Sequence, residues 1–433
     1  MNTPLTRRSF SKLLLAGGTA AWWTGAPSRT LAAATPALPS PTGRPDEAFW
    51  QAVRAQFSLR SGLSPMNAAN LCPAPRIVTQ VVIDHTQAIE ADPSFENRAA
   101  LGTPAETTRA LLATYVRATP EEIVLTRNTS EANNLVSLGL ALKPEDEVIL
   151  FADNHPSNHA AWRDRAKRYG FTVVELPVPN PHPGPEAYLA AVRAALTPRT
   201  RVLAFGHLTS SVGDLFPAQE LCALARERGV LTLVDGAQTF GLLDIDLGRM
   251  QPDFYTGSAH KWPCGPKEVG FLFVRRDAQE RLWPGTISAG AGKIGLSRTH
   301  EAFGQRDEAA LAAFGTALTF LTSIGPANIE ARSRSLTQTL LGRLATLPAV
   351  RVWTHPDPAR SVAVVSFQPG DLPPRALATA LYREHGIACT ARTGADRGGL
   401  RISPHFYNQP AEIDRLASAL EAYLARGLPT GLG

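Results

Sequence analysis

Only four cysteines occur in 433 residues, Cys72, Cys222, Cys264 and Cys389, with no CxxC pair and no metal-ligand spacing, so neither a disulfide framework nor a metal site is expected. A chain of this length builds a large core and needs no covalent staple even in an oxidising compartment. Basic runs interleaved with aromatic residues are also missing, which excludes nucleic acid as a partner. The formal charge is +5, but Arg7, Arg8, Lys12 and Arg29 supply four of those charges within the first 34 residues, a stretch without a single acid. What remains, 44% hydrophobic and 19% charged, is the composition of a soluble globular protein. At this length two domains with a ligand cleft between them are expected.

The N-terminus reads TRRSFSK (Thr6 to Lys12), then the apolar LLLAGGTAAWW, then Ala32, Ala33 and Ala34. A basic start, an apolar middle and a small-residue end are the three parts of an export signal. The arginine pair resembles a twin-arginine motif, which implies the twin-arginine export machinery as a partner and a periplasmic or otherwise exported location. The apolar run is shorter than the roughly 20 residues a membrane span needs. Residues 1–34 are therefore read as the signal, and 35–44 (TPALPSPTGR) as a linker.

After Glu106, helical and strand patterns alternate. The strands are EIVLT (122–126), EVILF (147–151), FTVVELP (171–177), RVLAFGHL (201–208), LTLVDGAQ (231–238) and VGFLFVRR (269–276). Such alternation predicts an α/β fold, a mostly parallel sheet covered on both faces, with ligands at the carboxyl ends of its strands. Beyond Glu308 the texture shifts to long helical stretches and short strands. The expected division is an N-terminal segment (45–75) joining the small domain, a large domain (76–307) and a smaller α+β domain (308–433).

The chemistry concentrates in a few segments. In DFYTGSAHKWPCGP, Lys261 is flanked by apolar residues. Desolvation depresses an amine's pKa and makes it a nucleophile suited to a Schiff base. Asp235 ends LTLVD, a position from which a carboxylate pairs with a ring nitrogen. In NTSEANN (128–134), a helix opens straight after a strand, and its N–H groups with the Thr129 and Ser130 hydroxyls make an anion site.

Together with MNAANLCPAP, DNHPSNHAAW, FGHLTSSVGDLFP, FGQRDEAALAA and GLRISPHFYNQPAEIDRL, these segments resemble the class V aminotransferase family of fold-type I enzymes that use pyridoxal 5′-phosphate (PLP). The resemblance implies Lys261 as the Schiff-base lysine and Asp235 as partner of the pyridine nitrogen, with His155 stacked on the ring. It further implies Gln238 at the ring hydroxyl and Thr129, Ser130, Ser258 and His260 around the phosphate. Arg401 would bind a substrate carboxylate, with Asn70 and Ser210 near the substrate. It also implies a homodimer, although Gly304-Gln305 replaces the Gly-Thr pair with which many relatives reach a neighbouring subunit's phosphate.

Within the family, GQRDEAALAA and LRISPHFYN look similar to isopenicillin N epimerase-like proteins and to a periplasmic enzyme that tailors pyoverdine siderophores. The expected function is PLP chemistry at the amino-bearing carbon of an amino acid or peptide-derived metabolite. Transamination, epimerisation and siderophore side-chain deamination or decarboxylation all remain open. A cysteine desulfurase or other C–S lyase is the competing reading. It is opposed by the loop ARTGADRGGLR (391–401), which lacks the persulfide cysteine, while Cys389 is read as a buried, inert strand residue. A non-catalytic PLP-binding protein is opposed by the intact set Lys261, Asp235 and His155.

Overall fold

The computed structural model describes residues 45–394 and 396–429; the expected signal and linker lie outside the described residues. A two-residue strand, β1 (Ser64–Pro65), precedes the strands of the main sheet. These are β2 (Ile123–Thr126), β3 (Glu147–Phe151), β4 (Thr172–Leu176), β5 (Thr200–Gly206), β6 (Leu231–Asp235), β7 (Phe254–Ser258) and β8 (Gly270–Val274). They form one seven-stranded sheet in the order β2-β8-β7-β6-β5-β3-β4. β8 is antiparallel to both its neighbours, and the other pairings are parallel.

Side chains alternate across a strand, and here both faces are apolar. Ile149, Phe151, Leu203 and Phe205 enter one core. Val148, Leu150, Val202 and Ala204 enter another, where Leu135 and Val136 of the helix Thr129–Gly139 and Trp162 of the helix Pro156–Tyr169 cover them. The carboxyl ends of the parallel strands consequently open on one edge, where the loops that follow β2, β3, β5, β6 and β7 meet.

The helix Glu308–Ile324 departs from the expected division. Its Leu311, Phe314, Leu318 and Leu321 share the first core with Val116 and Phe240 of the large unit. The reason lies in its composition, since a helix apolar on most of its circumference is stable only when surrounded. The smaller core begins within the next helix, Pro326–Ala345, at Leu336, Leu340 and Leu344.

That smaller unit has a four-stranded antiparallel sheet made of β9 (Val350–Val352), β10 (Val365–Pro369), β12 (Thr390–Arg392) and β13 (Gly399–Ile402). β11 (Ile387–Ala388) instead pairs in parallel with β1, tying the N-terminal segment to the C-terminal part. Arg54 and Glu412 reinforce that tie at 2.8 Å. β10 begins at Val365 rather than Ser361, because Ala363 takes a left-handed backbone (φ +59°) that breaks extended pairing. The helix Pro374–His385, absent from the sequence expectations, packs against this sheet through Leu377 and Leu381.

Candidate active site

At the carboxyl edge of the large sheet lies a cavity of about 340 Å³. Its wall contains all the residues picked out from the sequence: Lys261, Asp235, His155, Thr129, Ser130, Gln238, Ser258, His260, Asn70, Ser210 and Arg401. They come from the segments that follow β2, β3, β5, β6 and β7, from the last residues of β6 and β7, from the N-terminal segment and from β13.

The anion end forms where the helix Thr129–Gly139 starts. Asn128 caps that helix by accepting from the Glu131 N–H at 3.0 Å. The Thr129 N–H donates to Ser258 Oγ at 2.8 Å, and the two hydroxyls also meet at 2.8 Å. Ser130 Oγ reaches Ser157 Oγ at 3.3 Å. β8 runs tight against this turn: a Cβ on Gly270 would stand 2.8 Å from the Asn128 Cα and 2.5 Å from the Gly257 carbonyl. Only glycine lets the strand pass there. His260 closes this end; burial first, then Lys261 and Lys267, pull its pKa down to about 4 and keep it neutral.

Asp235, buried at the end of β6, accepts from the Ala237 N–H at 3.0 Å and from Asn133 Nδ2 at 2.8 Å. Thr256 donates to Asn133 Oδ1 at 3.0 Å, which leaves the Asn133 amide nitrogen facing the carboxylate. Gln238 spends its amide on the Ala69 carbonyl (3.0 Å) and on the Trp262 indole N–H (2.8 Å). One N–H of that amide is left for a ligand.

Lys261 opens partly into the cavity. Among the described residues its amine has neither a hydrogen bond nor an ion pair, and desolvation pushes its pKa below the ordinary lysine value against the opposing pull of Asp235. His155 accepts from the Ser157 N–H at 3.3 Å, and its pKa is lowered by desolvation and then by Lys261. Arg401 donates to the Ser210 carbonyl at 2.9 Å and to Asn67 Oδ1 at 3.3 Å, with no carboxylate partner among the described residues. Burial, then Arg392, brings its pKa down to about 10, so it stays cationic at neutral pH.

Several residues that shape the site carry no local signal in the sequence. Asn133 and Trp262 orient Asp235 and Gln238, as described above. Asp153 accepts from Arg397 at 3.2 Å and from Ser211, anchoring the 391–401 loop to the turn before His155. Arg392 is half-buried without a hydrogen-bond partner among the described residues, and lines a second cavity of about 540 Å³ that shares His155 and Ser210 with the first. Cys389 falls between β11 and β12 rather than on a strand, and burial raises its thiol to about 12.

PLP fits this arrangement. Hydroxyl and N–H donors without a carboxylate suit a phosphate, a fixed carboxylate suits a protonated ring nitrogen, and an unpaired amine opens into the space they share. Sheet order and cavity together define a fold-type I PLP-dependent enzyme. The chain belongs to the aminotransferase class-V family, whose model matches residues 74–416, and its cofactor is pyridoxal 5′-phosphate. It is 32% identical to the isopenicillin N epimerase of Streptomyces clavuligerus over 87% of this chain and 98% of that protein. A probable cysteine desulfurase of Methanothermobacter thermautotrophicus is 26% identical, again over 87% of this chain and 98% of that one. Among solved structures, a C-DES variant with glycine covalently linked to the PLP cofactor superposes with a TM-score of 0.77 at 25% identity, covering 85% of this chain and 98% of the other. The cysteine desulfurase CsdA of Escherichia coli shares the fold, with a TM-score of 0.77 at 24% identity over 87% of this chain and 98% of that one.

Proposed function

We propose that this protein is an exported enzyme of the epimerase and aminotransferase kind, acting on the amino-bearing carbon of an amino acid or a peptide-derived metabolite. The observation that carries this reading is the unpaired Lys261 amine in one cavity with the Asp235 carboxylate and the Arg401 guanidinium, which lacks a carboxylate partner. Bound there, the cofactor supplies an electron sink for the substrate's α-carbon. Lys261 would hold it, and its amine would be placed to take or return a proton at that carbon. Asp235 keeps the ring nitrogen protonated, while Thr129, Ser130, Ser258 and His260 hold the phosphate. His155 would hold the ring face, and the free N–H of Gln238 would be available to its hydroxyl. Arg401 grips the substrate carboxylate in a planar fork, with Asn70 and Ser210 beside it. The adjoining cavity would receive the substrate's side chain, and Arg392 there would favour one that ends in an anionic group.

We place the enzyme in the periplasm on the strength of TRRSFSK, and as a homodimer on the strength of the family and of the exposed Phe95, Trp283 and Ile287.

The second reading, a cysteine desulfurase, draws support from relatives of that name. Against it stand a 391–401 loop without cysteine and a Cys389 thiol too basic to act as a thiolate. The test is a screen of the purified protein against amino acids and siderophore precursors. It follows the absorbance of the bound cofactor and analyses products for configuration and for keto or decarboxylated forms, with Lys261→Ala as the control. Turnover that disappears in the control supports the reading. Sulfide release from cysteine, with persulfide on Cys389 by mass spectrometry, would overturn it in favour of the second.

A further inference from the structure

Cys72, Cys264 and His405 are remote in sequence but converge under the floor of the cofactor cavity. Their two sulfurs and an imidazole nitrogen all lie within 4.8 Å of one another. All three residues are buried, with His405 and Cys264 fully so. Each comes from a different part of the site: Cys72 from the N-terminal segment, Cys264 three residues after Lys261, and His405 just after β13.

We propose that Cys72, Cys264 and His405 form a structural binding site for a thiophilic d10 cation, zinc(II) or copper(I), which locks the Lys261 loop to the two terminal segments. The donors are of the kind such ions select, two thiolates and an imidazole: three suffice for copper(I), and zinc(II) would need a fourth. With zinc(II) the assembly is electrically neutral, so the closed apolar surroundings impose little charge penalty.

The surroundings are those of a ligating histidine. His405 Nε2 donates to the Trp262 carbonyl at 2.7 Å, which fixes the tautomer and leaves Nδ1 a lone pair with no partner. The Tyr407 hydroxyl donates to Cys72 Sγ at 3.5 Å, while the Cys72 and Cys264 thiols donate to the Ala68 and Trp262 carbonyls at 3.9 and 3.6 Å, protons that a bound cation would displace. Cys264 holds a left-handed backbone (φ +54°), which costs a non-glycine residue about 1 kcal/mol or more and persists where surrounding contacts impose it. The Cys72 N–H donates to the His260 carbonyl at 2.9 Å, so the N-terminal segment is already seated on the lysine loop. The site is closed to solvent, and uptake would accompany folding. None of this depends on which reaction the cavity supports.

The test uses the full-length protein purified with its cofactor from cells supplied with zinc or with copper. Metal content by mass spectrometry should be about one ion per chain, zinc or copper according to supply. It should fall at least tenfold in Cys72→Ser and Cys264→Ser, yet persist in Cys222→Ser, whose thiol lies outside the cluster. The absorbance of the bound cofactor provides a separate check that the variants are folded. If the cluster variants fail to fold, the native protein still decides. Fewer than about 0.1 ion per chain of either metal overturns the proposal. So does an intact mass showing Cys72 and Cys264 joined as a disulfide, since sulfurs bonded to each other are not thiolate ligands.

Discussion

The carboxylate of Asp235 has two fixed donors in a buried position, and a hydrogen bond to a charged group contributes about 1.5–3 kcal/mol. Asp235→Asn keeps the shape and removes the charge proposed to hold a ring proton. We expect the variant to retain bound PLP by absorbance and to lose activity by at least about a hundredfold in kcat. An unchanged rate would remove Asp235 from its role. Asp214 is a different case. Its carboxylate is fully buried with both oxygens unpartnered, and desolvation, then Asp153, raises its pKa from 3.8 to about 7 against the pull of Arg397. Because the folded pKa lies above the unfolded one, the associated stability is intact below pH 3.8 and lost as pH rises towards 7. Asp214→Asn abolishes that loss. Its Tm should exceed that of the native protein at pH ~8.5 by about 5 °C, with little gain at pH ~4.5. Equal gains at both values would contradict a buried, ionising carboxylate.

The helix Pro104–Val116 is joined to the sheet by charge as well as by packing. Arg109, fully buried, donates to the Ile123 carbonyl at 2.8 Å and pairs with Glu301, which comes from the segment ahead of the helix Glu308–Ile324. Removing one member of such a pair strands the other without solvent. Arg109→Met should therefore lower stability by about 3–5 kcal/mol in chemical denaturation, whereas replacing both Arg109 and Glu301 with apolar residues should recover much of it. At this scale the sequence was most informative where chemistry sits beside a regular element. Asp235 closes a plainly apolar strand, and Thr129 opens a helix straight after one. β7 escaped the strand pattern because FYTGS includes Thr256, Gly257 and Ser258, small or polar residues buried by their place in the sheet rather than by their own hydrophobicity. Asn133, Trp262 and the Asp153–Arg397 pair escaped too, since each acts through a partner distant in the chain, and Arg392 escaped because only the fold brings it to the cavity it lines. The position of the helix Glu308–Ile324 is another tertiary outcome: its apolar pattern shows that it is buried, but not against which sheet.

For the whole molecule, the two sequence features that frame it are the arginine pair at its start and the lysine at its centre. A route that carries folded proteins suits an enzyme whose cofactor is made in the cytoplasm. Arg7→Lys combined with Arg8→Lys should leave an active, PLP-loaded precursor in the cytoplasm and deplete the periplasm. Cell fractionation with an absorbance readout checks this, and normal periplasmic levels of mature enzyme would refute it. The described part of the chain adds a constraint of its own. Asn67 joins Thr390 and Arg401, Ser64 joins Glu412, and β1 pairs with β11, so the N-terminal segment is held by the C-terminal part of the chain. Asn67 and Ser64 find these partners only once β12, β13 and the helix Pro410–Arg426 are in place, so the wall that Asn70 and Ala69 line on the large unit is braced by the C-terminal part of the chain. A chain broken off before β13 therefore carries Lys261 without Arg401, the cation proposed to seat the substrate.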